Sequence, residues 1–125
     1  MTNGTETARL EGHSGWVSAL CVLQDGRLAS GSNDNTIRVW DLTTGAQAIC
    51  LEGHLHVVRA LCALPDGRLA SGAGDKTVRL WDLPTGVEIA RLETDAAVQC
   101  LIILSAACFV AGDDLGRLHW LQLVD

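Results

Sequence analysis

The chain has 125 residues, 48% apolar and 19% charged, with a net charge of −6. This is the composition of one compact globular domain, and it excludes a disordered segment. Nine basic residues against fifteen acidic ones argue against binding to nucleic acid, whose phosphates need clustered Lys and Arg.

Taken in chain order, the opening MTNGTETARL is polar where a secretory signal requires an apolar stretch. Short apolar runs then alternate with turn signals. Strands are expected over Trp16–Leu23, Arg27–Gly31, Thr36–Trp40 and Gln47–Leu51, separated by Asp25-Gly26, Asn33-Asp34-Asn35 and Thr43-Thr44-Gly45. No window carries a helical period, so the chain reads as all-β.

The same phrases then return. SGSNDNTIRVWD, from Ser30, recurs as SGAGDKTVRLWD, from Ser71, and 12–52 aligns with 53–93 without a gap, identical at 24 of 41 positions. The period is about 41 residues, the length of a four-stranded repeat unit. A weaker third copy over 94–125 puts Val98 in the place of Val17 and Val58, and Trp120 in that of Trp40 and Trp81. It needs single deletions near Asp95 and Asp113. The apolar run Cys100–Gly112 is too short to span a bilayer as a helix, so no membrane partner is expected. Five cysteines form no CxxC pair, which suits reduced thiols in the cytoplasm.

His13, Ser30 and Asp34, and again His54, Ser71 and Asp75, contain the residue types of a hydrolase triad. A catalytic set is needed once per site, whereas this one recurs with each repeat and always with a Trp. A structural role is therefore expected, and no enzyme. GAGDKT lacks the spacing of a phosphate loop. His54 and His56 resemble a metal pair only in spacing, so neither metal nor cofactor is expected.

GH, a spacer and SG-x-x-D-x-T-x-R-x-WD at this period resemble the WD-repeat (Trp-Asp) family of β-propellers, over essentially the whole chain. The resemblance implies three blades of four-stranded antiparallel sheet around a channel. It also implies hydrogen-bonded tetrads of His13, Ser30, Asp34 and Trp40, and of His54, Ser71, Asp75 and Trp81. In the third blade it implies a partial tetrad of Asp114 and Trp120, with Ala111 or Val110 in the Ser place. Contact positions of the family carry over to Trp16, Ser18, Val57, Arg59, Ala97 and Gln99, and at the turns to Asn33, Gly74 and Asp113.

Thr5–Leu10 aligns with Ala46–Leu51 and Val87–Leu92, the fourth strands of their blades, while five residues after Trp120 leave no room for such a strand. Three blades fall short of the usual four to eight. The expectation is a ring closed in trans, Thr5–Leu10 completing a neighbour's last blade, in a homodimer of six blades or a homotrimer of nine. The function expected is a non-catalytic scaffold for an unidentified protein or peptide. A purely structural or engineered assembly unit, and the C-terminal sensor fragment of a larger protein, stay open beside it.

Overall fold

A computed structural model describes residues 3–105 and 107–123, so the third repeat's last two positions lie outside the described residues. The first sheet contains β1 (Val17–Val22), β2 (Leu28–Ser32), β3 (Ile37–Trp40) and β4 (Gln47–Leu51). The second contains β5 (Val58–Ala63), β6 (Leu69–Ala73), β7 (Thr77–Asp82) and β8 (Val87–Glu93). The third has only β9 (Val98–Ser105), β10 (Cys108–Asp113) and β11 (Leu118–Gln122). Each is an antiparallel meander with its strands in chain order, two of four strands and one of three. Among the described residues no helix is long and apolar enough to cross a membrane.

Thr5–Leu10, expected as a strand, has no strand assignment. A strand needs a neighbour's backbone groups, and this segment pairs with none of the three sheets. Its last residue still takes the place of a fourth strand's end. A Cβ built on Gly45 would lie 3.5 Å from Leu10, just as one on Gly86 would lie 3.7 Å from Leu51.

The hairpins follow from local chemistry. Between β1 and β2 the Asp25 carboxylate accepts the Arg27 N–H at 3.0 Å, and Gly26 supplies a φ of 88°. Asp66 and Gly67 repeat this between β5 and β6. The next turn needs a left-handed residue, which is Asn35 in the first sheet, Gly116 in the third and, against its intrinsic preference, Lys76 in the second.

The sheets stack by a repeated packing rule. On the second strand, Gly31 and Gly72 leave room for Val58 and Val98 of the next sheet, where any Cβ would collide with the valine methyl. Leu23, Ala29, Ile37, Val39 and Leu51 of the first sheet bury against Val58, Leu69, Trp81 and Leu83 of the second. The second and third meet in the same way through Leu64, Val78, Leu80, Val98 and Phe109.

From Val98 onward the third sheet follows the second without a gap. Leu101 pairs with Ala111 as Leu61 pairs with Ser71, and Ala111 with His119 as Ser71 pairs with Arg79. The deletion expected near Asp113 is therefore not required. Asp113 takes the place of Ser32 and Ala73, because its N–H makes the same turn closure, donating to the Arg117 carbonyl as the Ser32 N–H does to that of Thr36. Leu115 and Leu121 consequently occupy the tetrad places of Asp and Trp.

Candidate functional site

In the first two sheets His, Ser, Asp and Trp form one continuous hydrogen-bonded chain. The Trp81 indole N–H donates to Ser71 Oγ at 2.8 Å, Ser71 meets His54 Nε2 at 2.6 Å, and His54 Nδ1 meets Asp75 at 2.9 Å. Trp40, Ser30, His13 and Asp34 repeat these distances. The donors and acceptors balance with a neutral imidazole: Ser donates to Nε2, and Nδ1–H donates to the carboxylate. Burial pushes the His54 pKa down, against the opposing pull of Asp75.

Each Asp also ties down its turn. Asp75 accepts from the Leu55 N–H at 3.0 Å, the Thr77 N–H at 3.1 Å and the Thr77 hydroxyl at 2.6 Å. Burial alone would raise its pKa, but these bonds together with His54 outweigh it and hold the carboxyl down to about 2. Burial raises and the same kinds of donor lower the Asp34 carboxyl, with a net shift well below the usual carboxylate range. Neither constellation has a nucleophile open to a substrate, since every Ser, His and Asp bond is spent internally. This is a brace.

The third sheet is braced differently. Trp120, expected as its tetrad Trp, lies in the place of Val39 and Leu80 and is 72% exposed. Asp114, expected as the tetrad Asp, occupies the place of Asn33 and Gly74, its N–H donating to Ala97 as theirs donate to Trp16 and Val57. Asp113, expected at the rim as a partner contact, is instead buried. Its carboxylate accepts from the backbone N–H of Leu115 and of Arg117, from Arg117 Nε at 2.8 Å, and lies 2.7 Å from His119 Nε2. Burial raises its pKa less than these bonds lower it, leaving it well below the usual range. Arg117 extends the bracket to Asp95 at 2.8 Å. The signal in the sequence is Asp113-Asp114-Leu115-Gly116-Arg117, a turn with its own carboxylate and cation.

Asp95, Asp113 and His119 come close enough together to suggest a metal site. Arg117 already bridges both carboxylates, so its one positive charge offsets part of theirs and the cluster forms an ion-paired bracket.

The remaining rim positions divide by environment. Trp16 is 83% exposed, and Asn33 and Gln99 are exposed as well. The Ser18 hydroxyl donates to the Val58 carbonyl of the next sheet, so it stitches sheets together and is not free for a partner. Val57 and Ala97 are half-buried. Arg59 is half-buried in a cleft of about 440 Å³ between the second and third sheets, which His56, Lys76, Asp95, Asp114 and Leu115 also line.

Comparison with known proteins agrees with this geometry. The family model described as "WD domain, G-beta repeat" matches residues 4–41 and 45–82, more than half of the chain. The chain is 52% identical over 40 residues to pre-mRNA-splicing factor PRP46 of Eremothecium gossypii, covering 30% of the chain and 9% of that protein. It is 55% identical over 38 residues to nuclear distribution protein PAC1 of Candida dubliniensis, covering 30% of the chain and 8% of that protein. It is 50% identical over 44 residues to small ribosomal subunit protein RACK1y of rice (Oryza sativa subsp. japonica), covering 34% of the chain and 13% of that protein. The matched segments thus span only a small fraction of these relatives' lengths. With two recurring tetrads, meander sheets stacked by one packing rule and two matched repeats, the chain belongs to the WD domain, G-beta repeat family.

Proposed function

We propose that the chain is a non-catalytic protein-interaction scaffold of the WD type that closes its propeller by head-to-tail assembly with copies of itself. The observation that carries self-assembly is the state of the two flanks. Ile102, Leu104, Leu118 and Trp120 on the last sheet are 57%, 50%, 79% and 72% exposed. Their counterparts on the second sheet include Leu64, Val78 and Leu80, each at most 1% exposed against a neighbouring sheet. Val17, Leu20, Val22 and Leu42 are likewise exposed on the first flank, at the places where Val58, Leu61, Ala63 and Leu83 pack in the second sheet.

One flank is therefore the chemical complement of the other, because the internal junctions already join copies of them. Burying a large aliphatic or aromatic side chain contributes about 1.5–3 kcal/mol, so these flanks favour a covered state. Docking flank to flank is a heterologous contact, which closes into a ring when the rotation from copy to copy completes a full turn. Thr5–Leu10 would supply the fourth strand that the third sheet lacks, giving six blades from two copies or nine from three. Light scattering across a dilution series tests this: a persistent dimer or trimer is expected, and Trp120→Glu should reduce it to monomer. A wild-type monomer would overturn self-closure.

The small share of each relative that the chain matches favours a second reading, in which further blades of a longer protein meet the same flanks. A wild-type monomer that gains a stable mass only when joined to added blades would select it.

The rim carries the scaffold function. Trp16 is an exposed aromatic where the equivalent places hold Val57 and Ala97, so the fold does not demand it there. Trp16→Ala should keep the melting temperature and lose a captured partner; a large loss of stability would assign Trp16 to the fold. The five unpaired cysteines suit a reducing compartment such as the cytoplasm, to which we assign the chain.

A further inference from the structure

Nearly every cation in this acidic chain is engaged. Arg9, Arg27, Arg79, Arg91 and Arg117 meet carboxylates. Arg68 meets Asp66, and Arg38 donates to Gln47 at 2.7 Å. Among the described residues the two cationic side chains without a hydrogen-bond or ion-pair partner are Arg59 and Lys76, and both line the cleft between the second and third sheets. His56 stands beside them, close over Gly74. We propose that this cleft binds a peptide segment through a carboxylate side chain, Asp or Glu, held between Arg59 and Lys76.

Three observations converge. The first is the partnering just described: two cations left open in one place, in a chain where anions outnumber cations, are unspent binding capacity. The second is backbone geometry. Lys76 has a φ of 67° at a turn place that Asn35 and Gly116 fill in the other sheets, so a lysine is held where the backbone prefers Asn or Gly. Strain retained at one of three equivalent places points to a use for that side chain. The third is the charge of the lining. Asp95 and Asp114 also line the cleft, Asp95 paired with Arg117, and carboxylates in the lining repel a dianionic phosphate more strongly than a singly charged carboxylate. Arg59 offers the forked donor geometry that carboxylates accept in pairs.

The inference rests on the rim-scaffold reading and names the chemistry of what the rim would take. The test is fluorescence anisotropy of the full chain with three labelled short peptides, identical but for glutamate, glutamine or phosphoserine at alternate positions. The glutamate peptide should bind at low salt, and the glutamine peptide about tenfold more weakly. Arg59→Gln/Lys76→Gln should weaken the glutamate peptide about tenfold, whereas Arg27→Gln/Arg68→Gln, which removes the same charge at the hairpin turns, should not. Should the cleft variant fail to fold, amide shifts of Gly74, Ala97 and Asp114 in the wild-type chain must move on titration with the glutamate peptide. Tighter binding of the phosphoserine peptide overturns the carboxylate assignment. Equal loss in both double variants, no binding of the glutamate peptide, or unmoved amides overturns the cleft site. Partner capture that still depends on Trp16 would then leave the scaffold reading standing; loss of that too would overturn both.

Discussion

Ser71 is the hinge of its tetrad, accepting from Trp81 and donating to His54, with its side chain fully buried. Ser71→Ala strands a buried indole N–H and an imidazole nitrogen, and unmade buried bonds of this kind cost about 1–3 kcal/mol each. Chemical denaturation should therefore show a loss of at least about 2 kcal/mol. The same brace sets a pH response. A histidine whose pKa is lowered by folding leaves the unfolded chain binding more protons below its ordinary value of 6.5. An Asp lowered from 3.8 to about 2 acts in the same direction at lower pH. Stability is thus complete above pH 6.5, falls as His54 is opposed by acid, and falls again between about 4 and 2 as Asp75 is protonated. Melting temperatures measured from pH 8 down to 2 should decline in these two windows; a flat profile would contradict the neutral His54. Lys76→Gly should raise stability by about 1 kcal/mol by relieving the left-handed backbone.

At the scale of elements, the three sheets share a hairpin plan but not a stability. Among the described residues the third has no fourth strand and no tetrad, and its Arg117 bracket is half-exposed. Amide exchange should be fastest there and slowest in the second sheet, which is covered on both faces. Equal protection in all three would refute that order. Gly72→Ala tests the junction between sheets, since its Cβ would strike Val98. Overpacking of this kind costs about 1–3 kcal/mol, and the loss should exceed that of Gly67→Ala only if the junction cannot shift, because Gly67 meets open space but needs its left-handed φ of 91°.

For the whole molecule, the flanks dominate. A WD-type sequence predicts a tetrad tryptophan near Trp120, and placing Trp120 there requires a single deletion near Asp113. The register removes the deletion, moves the indole by one residue and so turns it to the opposite face of the strand, since side chains alternate along a strand. An internal brace becomes an exposed apolar anchor. If the flanks are met in trans, Trp120→Glu lowers the mass and the melting temperature together, and the melting temperature of the wild type rises with concentration.

The sequence by itself determined the strands and turns of the first two repeats and their two full tetrads, because each rests on short-range patterns repeated at a fixed period: alternation, Asp-Gly turns, and donors spaced to meet. Only the tertiary structure decided what the third repeat does. Asp113 buried with Arg117 and His119, Trp120 on the open flank, Ser18 tied to Val58 and the two unpartnered cations in one cleft all depend on register and on contacts between sheets. A single alignment gap, one residue in either direction, exchanges inside for outside on a strand, and no local pattern records which face a neighbouring sheet will cover.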